Sequence, residues 1–324
     1  MMLMSKVKKT AVHILEQRKN DKRFSRTLAN ARMMSTFTRR FSRTISEKYN
    51  NQKNQIILNC IIDIFKDILE RHRDDDYKGF YDEHAPIWVC WWTGVDNAPA
   101  LVKQCVKSIK KNSNGHPIYI ITEKNYMNYL DIPSYILDKV NKGIMCLANF
   151  SDYLRISLLE KYGGMWLDAT VYVSQSLPED MFERELFTCK SPGAQGFFAN
   201  GRWTSYCIGG WKKNTFFIIV KECFERYWER YDMAIDYLLV DYIFASVYDN
   251  NPYCKQVLDD IPITNLERNM LSYAMVTGMP AEDFNKYIKD STTIYKLSWR
   301  EKYPEKTKDG KDSVYSLYLN MDLE

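Results

Sequence analysis

Two carboxylates and a guanidinium fall close together in the stretch FSDYLRISLLEKYGGMWLDAT, which runs from Phe150 to Thr170. Asp152 and Arg155 are three residues apart, so on a helix of roughly 3.6 residues per turn about 60° separates them. Both can therefore face one ligand. Asp168 ends the apolar run Met165-Trp-Leu167, where a strand would leave the core and meet a cleft. Acid, guanidinium and acid converging on one crevice can hold sugar hydroxyls and a diphosphate together, which is the chemistry of nucleotide-sugar transfer. Asp241 lies inside another apolar run. A buried carboxylate needs a partner or a task, so an active-site role and a structural hydrogen bond both fit it.

The elements that must position these groups can be read around them. The segment from Ser151 reads as a helix stopped by Gly163-Gly164, which suit a left-handed helix end. A strand ending on Asp168 follows, then another at Val171-Tyr-Val173. Upstream, Ile87-Trp-Val-Cys-Trp-Trp92, bounded by Pro86 and Gly94, predicts the first strand. Asp96 or Asn97 can cap the next helix, with Pro99 in its first turn. Ile118-Tyr-Ile-Ile121 predicts the second strand, and Tyr126 to Val140 a helical stretch broken near Pro133. Downstream, 179–214 looks irregular, Thr215 to Arg230 reads as a long helix, and Ile235 to Phe244 as another, with Asp236 as a cap. Alternating β and α elements predict an α/β domain with a mainly parallel, Rossmann-like sheet. Ligands in such folds bind at the carboxyl ends of strands, where Trp92 and Asp168 fall. His84 and His116 lie in polar loops and carry no role. Trp211, after Gly209-Gly210, suits either an acceptor pocket or the core.

Composition narrows the class. Hydrophobic residues at 45% and charged residues at 27% are ordinary for a folded soluble chain. Aromatics at 14% are plentiful, and flat rings with polar edges suit both sugar sites and a large core. No apolar run approaches the roughly 20 residues of a membrane span, and no secretory leader pattern is visible. The eight cysteines form no Cys-x-x-Cys pair, which predicts reduced thiols and a cytoplasmic protein. Before Asn50, thirteen Lys or Arg face three acids. Val7, Ala11, Ile14 and Leu15 fall at helical spacing among them, a pattern of either a membrane-surface helix or a solvated arm. The stripe from Ile56 to Leu69 predicts a helix closed by the polar run Arg71 to Asp76. The chain thus divides into a basic N-terminal helical region, 1–81, and a catalytic-looking domain, 82–324. No nucleic-acid motif is present, so no nucleic-acid partner is expected.

Six segments together carry a family resemblance: Trp88-Val-Cys-Trp-Trp-Thr-Gly94, Asn97-Ala-Pro99, Ser151-Asp-Tyr-Leu-Arg155, Gly163-Gly-Met-Trp-Leu-Asp-Ala-Thr170, Asp236-Tyr-Leu-Leu-Val-Asp241 and Tyr295-Lys-Leu-Ser-Trp299. They resemble bacterial capsular polysaccharide synthesis glycosyltransferases, which are similar to the glycosyltransferase 32 group, over roughly Ala85 to Trp299. The resemblance implies a GT-A fold, a UDP-sugar donor and a retaining transfer. The implied acceptor is an oligosaccharide or lipid-linked repeat unit of a capsular or other surface polysaccharide. That places the protein in the cytoplasm or peripherally on the cytoplasmic face of the inner membrane, where the basic region would meet an anionic surface.

By the same resemblance Trp91, or its neighbour Trp92, stacks on the nucleobase. Asp152 and Arg155 hold donor hydroxyls, and Asp168 lies beside the ribose, the diphosphate and a metal. Asp168, Asp152 and Asp241 form the implied catalytic set, with Lys296, Ser298 and Trp299 on the donor side. Many relatives read Asp-x-Asp where this chain reads Asp168-Ala-Thr170. Hard cations prefer anionic oxygens, so Mn²⁺ or Mg²⁺ on Asp168 is expected with one carboxylate fewer, and Lys296 can supply charge to the leaving diphosphate instead. A toxin-like protein glycosyltransferase and a catalytically inactive sugar-binding or scaffold subunit are the alternatives.

Overall fold

A computed structural model describes residues 15–39, 41–193 and 198–322. Most of the amphipathic basic pattern, from Lys6 to Ile14, lies outside the described residues. Short runs, most of them apolar, form the strands: β1 (Ile87–Cys90), β2 (Ile118–Ile121), β3 (Gly164–Leu167), β4 (Val171–Val173), β5 (Leu186–Thr188), β6 (Cys207–Gly210) and β7 (Ile294–Lys296). Five of them make one sheet in the order β2-β1-β3-β6-β5. β1 pairs in parallel with β2 and β3, while β6 pairs antiparallel with β3 and β5. Only β6 is reversed, so the sheet is mostly parallel and the mixed α/β architecture is compatible with a Rossmann-like arrangement. β3, β5 and β6 are buried throughout, as strands covered on both faces must be. β4 and β7 form a separate antiparallel pair.

The segment 179–214 is not irregular throughout: it contains β5 and β6. β6 carries Gly209 and Gly210 because the sheet packs tightly there; a Cβ on Gly209 would lie 2.3 Å from the Gly164 carbonyl oxygen. Gly163 does end the Leu147–Tyr162 helix, but at φ 70°, ψ −157°. That is the extended positive-φ region reserved for glycine rather than the left-handed helical one. A Cβ on Gly164 would meet the Pro86 carbonyl oxygen at 2.0 Å, so this glycine lets β3 enter beside β1.

Several boundaries differ from the sequence reading. β1 stops at Cys90, leaving Trp91 and Trp92 just beyond it. Pro99, rather than Asp96 or Asn97, occupies the cap position of the Ala100–Lys111 helix. The helix read from Ile235 begins at Leu239. Asp236 therefore precedes the helix. It accepts from the Leu238 backbone N–H at 3.1 Å and pairs with Arg32 at 2.8 Å. His116 is buried, with Nδ1 2.8 Å from the Ala85 carbonyl and its ring stacked on Phe182. Trp211 packs against Tyr81, away from the cavity described below.

The isoleucine stripe forms the buried face of a long helix, Arg43–Arg71, capped by the Ser42 hydroxyl accepting from Ile45 N–H. It packs on the Leu239–Asn250 and Thr215–Arg230 helices. All eight cysteines are free thiols. Among the described residues no helix is long and apolar enough to cross a membrane.

Candidate active site

The parallel register of β1 and β3, Ile87 against Met165 and Trp88 against Trp166, puts the ends of both strands at one edge of the sheet. Trp91 and Trp92 emerge after β1, and Asp168 after β3. The Leu147–Tyr162 helix runs directly into β3 and carries Asp152 and Arg155 to the same place. β7 pairs with β4 so that Lys296 lies opposite Val171, which brings a segment 126 residues away against Thr170. The open cleft they form has a volume of about 740 Å³. Its lining includes Trp91, Trp92, Asp152, Arg155, Asp168, Asp241, Lys296, Ser298 and Trp299. Every residue of the implied catalytic and donor set thus lines one cavity, while Trp211 does not.

Arg155 is the centre of the charge network. It is 4% exposed. Nη1 donates to Asp152 Oδ1, and Nη2 donates to Asp168 Oδ1 at 3.3 Å. The guanidinium also lies 4.8 Å from the centre of the Trp166 ring, a cation–π distance. Trp166 Nε1 donates to Asp168 Oδ1 at 2.9 Å. Lys296 Nζ donates to Asp168 Oδ2 and to Thr170 Oγ1, both at 2.7 Å.

The three acids respond differently to this setting. Burial opposes ionisation of Asp168, yet Lys296 and then Arg155 hold its carboxyl down at about 2. Burial raises Asp152, and Arg155 offsets it only in part. Burial also lifts Asp241, to about 6, against the Trp203 Nε1 hydrogen bond it accepts at 2.9 Å. Asp241 therefore has both a structural partner and a face on the cavity. Cys90, the cavity's thiol, is pushed up by burial to about 12, so it is no thiolate nucleophile at neutral pH.

The aromatic wall has two parts. Trp91 meets Trp299 edge to face with centroids 5.8 Å apart. Trp92 packs against Tyr126 and Phe150 instead. Trp299 is 45% exposed, so the Trp91–Trp299 side opens to incoming ligand.

Sequence reasoning missed Trp166, Trp203 and Tyr206. The first was available: residues two apart on a strand share a face, so Trp166 had to accompany Asp168. The others come from the 198–206 loop. Lys296 Nζ sits 5.0 Å from the Tyr206 ring centre, and no local pattern announces that contact.

Residues 38–318 match the family model described as capsular polysaccharide synthesis protein. The chain belongs to this capsular polysaccharide synthesis family. No curated protein matches it. The family match begins well before Ala85, so it takes in the Arg43–Arg71 helix as well as every cavity residue named above. Membership supports a role in capsule biosynthesis.

Asp241 in this family member yields a stability prediction. Its carboxyl ionises near pH 3.8 when unfolded and near 6 when folded. The folded state therefore holds the proton longer, and stability falls as pH rises from about 4 to about 6. Asp241→Asn, which keeps an acceptor for Trp203, should stabilise the fold by up to about 3 kcal/mol at neutral pH. The gain should vanish near pH 4. Urea denaturation of both proteins at the two pH values measures it, and an equal difference at both would refute the assignment.

Proposed function

We propose that the protein is a GT-A glycosyltransferase akin to the glycosyltransferase 32 group. It moves a sugar from a UDP-sugar to a saccharide acceptor, a lipid-linked repeat unit of capsular or other surface polysaccharide, with retention. The observation that carries this reading is the single cavity at the carboxyl ends of β1 and β3 shared by Trp91, Asp152, Arg155 and Asp168. Nucleotide ligands bind at that edge in open α/β sheets.

In this reading the uracil stacks in the Trp91–Trp299 cleft. The ribose and diphosphate lie beside Asp168 and Lys296, and the donor sugar's hydroxyls bond Asp152 and Arg155. A buried, ion-paired guanidinium is pre-aimed, which lowers the cost of ordering it on binding. Asp241 faces the acceptor, with the 69%-exposed Tyr237 at the rim. The acceptor hydroxyl attacks from the face that UDP leaves, so no protein nucleophile is needed; the high pKa of Cys90 accords with this.

Membrane association is part of the same proposal. Phe37, Phe41 and Ile45 are 61%, 75% and 49% exposed and alternate with Arg39 and Arg43. Apolar side chains flanked by arginines suit an anionic interface.

Thermal-shift measurements across a panel of nucleotide sugars test the function. A cognate UDP-sugar at a hundred times its dissociation constant should add about 2.7 kcal/mol to the folded state. A panel in which no nucleotide sugar shifts or is hydrolysed would remove the proposal. Binding without turnover on any saccharide would make the chain a donor-binding subunit.

A further inference from the structure

We propose that sugar transfer proceeds without a divalent cation, because the Lys296 ammonium stands where an Asp-x-Asp pair would hold one. This rests on the transferase reading above and adds how the leaving diphosphate is neutralised.

The positions of the pair are 168 and 170. Between their side chains sits Lys296 Nζ, 2.7 Å from Asp168 Oδ2 and 2.7 Å from Thr170 Oγ1. Both are full, charge-assisted hydrogen bonds, and the first also has an anionic acceptor. The other carboxylate oxygen is taken as well, by Arg155 at 3.3 Å and Trp166 at 2.9 Å. A hard cation needs oxygen ligands with free lone pairs, preferably anionic. To bind here it would displace an ammonium, lean on a neutral hydroxyl and sit beside a second fixed cation, Arg155. Among the described residues no three His, Cys, Asp or Glu are grouped to hold a metal ion. The donor set does not fit Mg²⁺ or Mn²⁺.

The placement of Lys296 is built into the backbone. The β4–β7 register sets Lys296 opposite Val171, the residue after Thr170. Leu297 N–H donates to the Thr170 carbonyl at 2.9 Å, and Lys296 N–H to the Arg268 carbonyl at 2.8 Å. A lysine ammonium has three donors. Asp168 and Thr170 take two, and the side chain, 26% exposed, lines the cavity, so one donor is left for a ligand there.

The step balances without a metal. The bond from the anomeric carbon to the β-phosphate oxygen breaks, and its electron pair stays on that oxygen. The acceptor hydroxyl oxygen bonds to the anomeric carbon and passes its proton to the departing phosphate, releasing UDP. Lys296 donates a hydrogen bond to the phosphate as its charge grows and keeps its own proton. Preorganised donors of this kind act most where charge develops.

The test measures donor turnover, and UDP binding by calorimetry, in EDTA and in added Mn²⁺. Wild-type protein should bind and turn over equally in both. Lys296→Ala in EDTA should lose at least about a hundredfold in turnover and bind UDP more weakly, while Lys296→Arg retains UDP binding. Thr170→Asp combined with Lys296→Ala should make turnover depend on Mn²⁺. Wild-type turnover abolished by EDTA and restored by Mn²⁺ would overturn the proposal while leaving the transferase reading intact. No turnover of any nucleotide sugar with or without the cation would overturn both. The wild-type comparison stands even if a variant fails to fold.

Discussion

Asp168→Asn protein should keep the fold with reduced stability and lose about a thousandfold in the proposed sugar transfer. The side chain is 30% exposed and opens on the cavity, so the change leaves no core void, but losing the charge that Lys296 and Arg155 hold ionised should cost roughly 2 kcal/mol of stability at neutral pH. The chemistry depends on that charge too. One oxygen accepts from Arg155 and Trp166, the other from Lys296. An asparagine oxygen can keep the first pair, but its NH₂ then confronts the Lys296 ammonium, donor against donor. Lys296 would swing away and the diphosphate would lose its positioned cation. Since the Asp168 carboxyl titrates at about 2, it stays ionised across the working range. An acid limb in the wild-type rate profile must then come from another group. Steady-state donor consumption, paired with a denaturation midpoint, checks the claim. Near-parental turnover in a well-folded Asp168→Asn protein would contradict it.

Arg155→Ala should damage both the fold and the site. The guanidinium is 4% exposed, and it bridges Asp152 to Asp168 over the Trp166 ring. Removing one partner of a buried ion pair leaves an uncompensated charge, at a cost of about 3–5 kcal/mol. Asp152, already raised by burial, would rise further without its partner and become protonated more easily. Arg155→Lys would not repair this, because an ammonium cannot fork between two carboxylates or stack on the indole. Adding Asp152→Asn to Arg155→Ala removes the stranded charge. The double variant should therefore recover part of the lost stability but none of the donor affinity. Urea denaturation of the four proteins in the cycle gives the coupling. Additive losses would mean the two residues do not act as a pair.

The site was legible where chemistry and local periodicity coincide. The Asp152–Arg155 spacing and the strand ending on Asp168 are visible in one short stretch, and Ile118–Ile121 and Thr215–Arg230 appear with the bounds read from sequence. What stayed hidden depends on partners distant in the chain. β6 contains two glycines, which locally signal a loop; they are there because the Gly164 carbonyl on one side and the Glu185 carbonyl on the other pass within reach of a Cβ. Asp236 looks like a helix cap until Arg32, 204 residues away, is seen to bind it. From sequence, Lys296 is a donor-side lysine of no defined position. Only the pairing of β7 with β4 shows that it lies between the two motif side chains. The family resemblance supplied the expected roles, but the departure at Thr170 gained meaning only from that pairing.

The most direct test is a crystal structure of the protein with its best-stabilising UDP-sugar bound and no added divalent ion. The uracil should lie against Trp91 and Trp299, the diphosphate within hydrogen-bond reach of Lys296, and the sugar against Asp152 and Arg155. A donor found in any other cleft, with these side chains untouched, would contradict the account.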